Sequence, residues 1–247
     1  MNNESFDMNK KCAAVIIGRN EGERLVSCLE SLFASLDVVV YVDSGSSDNS
    51  LDEASRCGVH CLSLDLSIPF TAARARNEGA EYLLSMFPDL SYIQFVDGDC
   101  EVQPEWVAEA QEFLEVHPEY AVACGRLRER YPEQSVFNAL CNVEWNTSVG
   151  DVLSCGGIAM IRVGAFRQAE GYRDDLIAGE EPEMCFRLRA QGWKVFRLDA
   201  EMATHDAAMY KLSQWWNRAK RTGHAFAENY FLHGASSEKF CRKQVFS

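Results

Sequence analysis

An α/β fold built on a mostly parallel, Rossmann-like sheet with helices on both faces is what the first hundred residues predict. Short apolar, β-rich runs alternate there with segments of helical periodicity, in the order strand, helix, strand, helix, strand, helix, strand. Parallel neighbours joined this way need right-handed crossovers. Polar clusters follow three of the strands, and ligands bind beyond the carboxyl ends of strands in open α/β sheets. The 247 residues, 47% of them hydrophobic, suit one sizeable domain or a domain with an elaboration.

Residues 12–17, CAAVII, read as the first strand, continuously apolar as a buried strand should be. They run into the polar loop Gly18-Arg19-Asn20-Glu21-Gly22. From 23 to 36, Leu25, Leu29, Leu32, Phe33 and Leu36 recur at helical spacing. A second strand, 38–42, ends in the turn and cap residues Asp43-Ser44-Gly45-Ser46-Ser47-Asp48. Asp48 or Asn49 starts the next helix, which stops at Cys57 with Gly58 as its cap. Residues 59–64 are a third strand and 69–87 a third helix, with Thr71 near its start and Pro88 just beyond its end.

The fourth strand, in the stretch 92–100 (YIQFVDGDC), stops abruptly in two aspartates around one glycine. Gly98 permits a sharp backbone turn. Asp97 and Asp99 then sit at the carboxyl end of a buried strand, where paired carboxylates suit Mg²⁺ or Mn²⁺. The same tripeptide also serves as a plain strand-to-helix turn.

A helix follows at 104–117 with Trp106, Ala110, Phe113 and Leu114 on one face. A strand at 120–124 leads into the charged stretch 126–131, and 137–149 holds a helix and a loop. Gly156 and Gly157, after Cys155, precede the apolar run 158–161. Paired glycines allow a ligand or another segment to approach the backbone, or make a bulge before a strand. Gly179-Glu180-Glu181-Pro182-Glu183 opens a helix with proline in its first turn. Acids there suit the helix dipole, and one facing the crevice would be a general base. Gln191-Gly192 ends that helix, 193–198 is a strand, and Thr204-His205-Asp206 follows. His205 reads as a surface or core histidine, or as a metal ligand. In 207–231 the aromatics Tyr210, Trp215, Trp216, Phe226, Tyr230 and Phe231 are interspersed with Lys211, Arg218, Lys220 and Arg221. The aromatics are expected to pack on the sheet; a membrane interface is the other reading.

The formal net charge of −13 argues against nonspecific nucleic-acid binding, which needs a Lys/Arg surplus. A nucleotide substrate stays open, because a bound divalent cation offsets local repulsion. The 10 cysteines show no CxxC spacing, and Cys57 and Cys61 are the nearest pair along the chain. The opening stretch 1–11, MNNESFDMNKK, is polar and lacks the apolar centre of a signal peptide. A cytoplasmic protein with reduced thiols is the expectation. No apolar run reaches the roughly 18 residues a spanning helix needs.

Taken together, VDSGSSDNS, ARARNEGA, VDGDC, CGGIAMIR and GEEPEMCFRLR, in this order, resemble a family 2 glycosyltransferase with the GT-A fold, over residues 13–225. The likeness is strongest to bacterial members carrying GEEPE and THDAAM in these positions. It implies a single GT-A domain over 1–231, with a nucleotide-binding half at 12–100 and an acceptor and catalytic half at 101–206. Residues 207–247 form an amphipathic helical segment. The implied activity is metal-dependent, inverting transfer of a sugar from a nucleotide-diphosphate-sugar to an acceptor hydroxyl, in polysaccharide or glycoconjugate synthesis.

The resemblance also assigns roles. Arg19, Glu21 and Asp43 line the pocket for base and ribose, and Arg76 approaches the base or the diphosphate. Asp97 and Asp99 form the DxD motif, with Asp97 toward ribose and metal and Asp99 the main ligand of Mn²⁺ or Mg²⁺. His205 matches a later metal-binding histidine, and Gly156 and Gly157 border the acceptor. Glu180-Glu181 stands where the family has Glu-Asp, whose second member is the base. Here that member is Glu181, one methylene longer, so Glu180 stays a candidate. The implied partners are a nucleotide-sugar donor and a saccharide or lipid-linked acceptor, with no nucleic acid. A peripheral contact with the inner face of a membrane through 207–247 is expected, since similar members continue into membrane helices.

Two other classes compete. Sugar-nucleotide nucleotidyltransferases also use such sheets, but carry a longer Gly-rich, basic loop after the first strand than 18–22 provides. A catalytically silent nucleotide-binding domain is the third reading, and Glu181 in place of Asp is the feature that keeps it open.

Overall fold

A computed structural model describes residues 12–246; the polar stretch 1–11 and Ser247 lie outside the described residues. The first half is a run of β–α units: β1 (Cys12–Gly18), α1 (Glu23–Phe33), β2 (Val39–Asp43), α2 (Ser50–Arg56), β3 (His60–Ser63), α3 (Ala72–Met86) and β4 (Tyr92–Asp97). The second half is mixed. It begins with β5 (Cys100–Val102), α4 (Trp106–Val116), β6 (Tyr120–Glu129), α5 (Val136–Glu144), β7 (Gly150–Val152) and β8 (Ala159–Arg162). It continues with α6 (Val163–Gln168), α7 (Glu180–Ala190), β9 (Lys194–His205), α8 (Leu212–His233) and α9 (Arg242–Phe246).

All these strands join one sheet, in the order β3-β2-β1-β4-β8-β6-β9-β5, with β7 also paired to β9. β1, β2, β3, β4, β6 and β9 run one way; β5, β7 and β8 run against them. The expected mostly parallel α/β fold is therefore the one observed.

The helices pack by shape. A Cβ on Gly79 of α3 would stand 2.5 Å from Val15 and 2.9 Å from Val42, so only glycine lets α3 lie this close to the sheet. Thr71 caps α3 by accepting a hydrogen bond from the Arg74 amide, an interaction worth about 1 kcal/mol. α1 buries Leu25, Cys28, Leu29 and Leu32. It ends at Phe33, three residues short of the periodic pattern, and Leu36 returns to the core from the turn that follows. Trp106 of α4 is fully buried, and its indole N–H donates to Gln94 Oε1 at 2.8 Å.

Register sets the level of the strand ends. Gly18 pairs with Asp43 and Ile17 with Asp97, so β1, β2 and β4 finish along one edge. The three polar clusters read from the sequence gather there.

Several expectations need correction. β6 does not stop at 124 but continues through the charged stretch to Glu129. The charges are tolerated because they are satisfied: the buried Glu129 carboxylate accepts from Tyr131 N, Asn138 Nδ2 and Ala207 N. β9 runs seven residues beyond 198, so His205 closes a strand instead of lying in a loop. β5 was not anticipated. The aromatics of α8 do not pack on the sheet. Phe226 and Tyr230 join Phe186, Phe240 and Cys241 in a separate cluster, Trp215 stacks on Phe137, and Trp216 and Phe231 are exposed. All ten cysteines are free, and the pair brought together in space is Cys155 and Cys185, with sulfurs 3.6 Å apart. Among the described residues no helix is long and apolar enough to cross a membrane.

Candidate active site

The site begins where β4 stops. The Gly98 amide donates to Ile17 O at 2.8 Å, which turns the chain back across the end of β1. A Cβ at Gly98 would lie 3.2 Å from both Ile17 O and Glu21 Cγ, so the turn has no slack. β5 then pairs antiparallel with the end of β9, Cys100 opposite His205. That register brings His205 Nε2 to 2.9 Å from Asp99 Oδ2. The Cys100 thiol donates to Asp99 Oδ1 at 3.3 Å. Carboxylate, thiol and imidazole ligand atoms of Asp99, Cys100 and His205 lie within 4.8 Å of one another. Trp145 stacks on the imidazole, with ring centres 4.7 Å apart and planes 22° apart.

The electrostatics follow from burial and from these contacts. Burial pushes Asp99 up, but the hydrogen bond and charge of His205 outweigh it and hold the carboxyl below its ordinary range. For His205 burial acts downward, and the hydrogen bond and charge of Asp99, with Asp97 and Glu129 behind them, carry it above its ordinary value. Burial, then the charges of Asp99 and Asp97, push the Cys100 thiol well up, so it stays protonated. Burial and the charge of Asp99 also raise Glu21.

A second cluster surrounds Arg76, which is buried on α3. Its Nη2 donates to Asp97 Oδ1 at 2.9 Å and its Nη1 to Glu180 Oε1 at 2.7 Å. Glu181 Oε1 lies 3.2 Å from the same Nη1. The guanidinium sits over the Tyr172 ring at 5.5 Å. Glu180 and Glu181 open α7 just after Gly179, whose φ of 82° lies in the left-handed region. Asn229 of α8 donates to Gly179 O at 3.1 Å, and a Cβ on Gly179 would stand 2.7 Å from that same amide nitrogen. Burial and the neighbouring Glu180 charge push Glu181 up to about 7, against the pull of Arg76. Burial likewise raises Asp97, although Arg76 opposes it.

The two clusters border one cavity of about 860 Å³. Asp97, Gly156, Gly157, Glu180, Glu181 and His205 line it, and α8 forms the facing wall through residues such as Arg218 and Arg221. Gly157 is pressed against the cluster, since a Cβ there would lie 2.5 Å from Asp97 Oδ2 and 2.6 Å from Arg76 Nη2.

The remaining expected residues stand apart. Arg19, Glu21 and Asp43 are on the same edge but do not border this cavity. Arg19 is exposed over the Phe70 ring at 4.7 Å and donates to Gly45 O. Asp43 is buried, and its oxygens accept from Tyr41 Oη, Gly45 N, Ser46 N and Ser46 Oγ. It shapes the 43–46 turn instead of opening to a crevice. Asp97, expected at both ribose and metal, is engaged by Arg76 and lies outside the Asp99–Cys100–His205 trio. Sequence reasoning missed Trp145, Tyr172 and Cys100. Cys100 adjoins Asp99 in the chain and was visible there; Trp145 and Tyr172 give no local signal.

A mostly parallel sheet whose strand ends carry acidic clusters beside a histidine and a capacious cavity is the architecture of a GT-A glycosyltransferase. The chain belongs to glycosyl transferase family 2, whose sequence profile matches residues 13–168. Solved structures agree in fold. The mannosyltransferase PcManGT of Pyrobaculum calidifontis, in complex with GDP-Man and Mn²⁺, is 14% identical with a TM-score of 0.67, over 96% of this chain and 69% of that one. Glucosyl-3-phosphoglycerate synthase of Mycobacterium tuberculosis, in complex with phosphoglyceric acid, is 15% identical with a TM-score of 0.59, over 87% and 79%. Mannosyl-3-phosphoglycerate synthase of Rubrobacter xylanophilus is 14% identical with a TM-score of 0.59, over 87% and 72%. No curated protein sequence matches the chain.

Proposed function

We propose that this glycosyltransferase moves a sugar from a nucleotide-diphosphate-sugar to an acceptor hydroxyl by a single inverting displacement that depends on Mn²⁺ or Mg²⁺. One observation carries the reading: the Asp99–His205 pair, 2.9 Å apart, and the Glu180–Glu181 pair border or adjoin the same cavity. The Asp99 carboxylate suits Mn²⁺ or Mg²⁺, and the imidazole adds a nitrogen donor beside it. The protonated Cys100 thiol fits beside them as a hydrogen-bond donor to Asp99. Asp99 and His205 would hold the cation, and the bound cation screens the diphosphate and stabilises the leaving nucleoside diphosphate.

The chain's own residues do the rest. Arg19 and Glu21 frame base and ribose from the end of β1, the buried Asp43 holds the 43–46 turn beside them, and Asp97 faces the ribose. Gly156 and Gly157 offer bare backbone to the acceptor. Glu181 takes the proton from the acceptor hydroxyl as it attacks opposite the leaving group. Glu180 is the closer partner of Arg76, at 2.7 against 3.2 Å. Glu181 is left with a proton affinity near neutrality, where a general base works best. Direct displacement inverts the anomeric centre and needs no carboxylate nucleophile.

On this reading residues 12–100 serve the donor and 101–206 the acceptor, while 207–247 wall off the acceptor side. The acceptor is a saccharide or a lipid-linked acceptor in polysaccharide or glycoconjugate synthesis. The likeness of GEEPE and THDAAM to bacterial members supports that setting, in the cytoplasm or at the inner face of a membrane.

Incubation with Mn²⁺ and a panel of nucleotide-sugars tests the reading. Release of nucleoside diphosphate, stopped by EDTA, is expected. Pyrophosphate made from a nucleoside triphosphate and a sugar phosphate, with no diphosphate released from any donor, would overturn it.

A further inference from the structure

A second, smaller cavity of about 240 Å³ lies outside the active site and shares no lining residue with it. It forms where β6 and β9 fall out of step: Cys124 pairs with Arg197, yet Arg126 pairs with Glu201. Across that span β9 carries two more residues than β6, a β-bulge. Along this part of β6, Cys124, Gly125 and Leu127 border the large cavity while Arg126 and Arg128 line the small one.

Three arginines meet there, in a chain that is strongly acidic overall. Arg126 is 7% exposed and Arg197 4% exposed. Arg126 Nη1 and Arg197 Nε are both buried with no hydrogen-bond partner. The remaining contacts are weak. Arg126 Nη2 donates to Asn142 O at 3.3 Å, and among the described residues no carboxylate pairs with Arg126. Arg197 Nη1 donates to Leu198 O and lies 3.8 Å from Asp199, whose side chain is 93% exposed. Glu201 is already taken, since Arg128 grips it with both Nε and Nη2 at 2.5 Å. Burial, together with the charges of Arg128 and Arg197, holds Arg126 below its ordinary value, against a smaller upward pull from Glu201.

Buried cations without counter-charges are costly, and removing or pairing them is strongly favourable. Guanidinium groups present a planar fork of donors matched to oxyanions. The cavity is smaller than the roughly 300 Å³ at which pockets for drug-sized ligands begin. We propose that Arg126 and Arg197, with Arg128 and Asn146 at the rim, form a binding site for a compact oxyanion of the phosphate class, distinct from the site of transfer. The occupant supplies the counter-charge that Asp199 and Glu201 do not. Because Asn146 follows Trp145, which stacks on His205, the occupied site also steadies the segment beside the imidazole.

The test is calorimetric titration of the full chain with inorganic phosphate, at constant ionic strength and with EDTA present. With EDTA present, no divalent cation can bridge phosphate to Asp99 and His205. Saturable binding is expected, with a melting temperature that rises with phosphate and not with chloride. Arg126→Met and Arg197→Gln should each weaken binding at least tenfold, and Arg126→Met should melt no lower than wild type without phosphate. Glu201→Gln, which frees the Arg128 fork, should tighten binding. It keeps the proposal testable should a core arginine variant fail to fold. A parallel titration with glycerol 3-phosphate separates a free ion from a phosphate carried on an organic molecule. No saturable binding to wild type, or binding left unchanged by all of these substitutions, would overturn the site.

Discussion

His205 Nε2 lies 2.9 Å from Asp99 Oδ2, although 106 residues separate the two along the chain. The contact exists because β5, only three residues long, pairs with the far end of β9. On the proposed mechanism it is also where the cation is held. Asp99→Ala should therefore abolish Mn²⁺-dependent transfer, while the melting temperature stays within a few degrees of wild type. Initial rates at saturating Mn²⁺, with a thermal melt of the same sample, check both halves. Turnover like that of wild type would sink the assignment.

The raised proton affinity of Glu181 gives a pH prediction. The base must be ionised to accept a proton, so the rate should climb with pH and level off above about 7. Glu181→Gln should lower kcat by 100-fold or more, flatten the profile, and leave donor affinity nearly unchanged. If Glu180→Gln does this in its place, the roles of the two are exchanged.

Arg76 is the common partner of Asp97, Glu180 and Glu181, and it is buried. Arg76→Met should strand those carboxylates and destabilise the fold by about 3–5 kcal/mol. The loss should shrink as pH falls. Carboxyls whose folded-state proton affinity is raised bind more protons folded than unfolded, so acidification favours the native state until the unfolded chain is protonated too. Denaturant melts at pH 5 and pH 8 measure the difference, and equal losses at both would contradict this account.

Gly156 and Gly157 are adjacent in the chain and differ in their surroundings. A Cβ on Gly157 would meet Asp97 and Arg76 at 2.5 and 2.6 Å, whereas nothing lies within 4 Å of one on Gly156. Gly157→Ala should disturb the Arg76–Asp97 pair and cut transfer at least tenfold, whereas Gly156→Ala should keep its fold and stability. Equal melting temperatures and rates for the two variants would disprove the close packing.

Residues 207–247 hold seven Lys and Arg against two Asp and Glu. Trp216 and Phe231 of α8 are exposed, as are Val136, Leu140 and Val143 of the neighbouring α5. Co-flotation with anionic liposomes, weakened by salt, is the expected result if this face meets a membrane. Failure to float at low salt would remove the membrane contact.

Much of this was legible in the chain because the signals are local. β1, β2 and β4 are buried on both faces and read as largely apolar runs, broken in β4 only by Gln94 before its terminal Asp97. Their polar ends mark the edge where Asp97 and Asp99 sit. What escaped reading depends on distant partners. β6 passes through a charged stretch because Asn138, Tyr131 and Ala207 satisfy Glu129. β5 is too short for any periodicity and exists only through β9. Trp145 finds His205 through tertiary packing alone. Asp43 sits at a strand end like Asp97, yet its oxygens turn inward to its own loop. Residue type and position along a strand do not distinguish those two fates.

The clasp between Asn229 and the Gly179 carbonyl ties the α8 wall of the large cavity to the residue that introduces the two glutamates. On the proposed mechanism, receiving and deprotonating an acceptor are thus mechanically one unit. Grafting α8 from a relative to change which molecule is admitted would also re-aim Glu181, so exchanges of specificity in this scaffold have to carry helix and glutamate turn together.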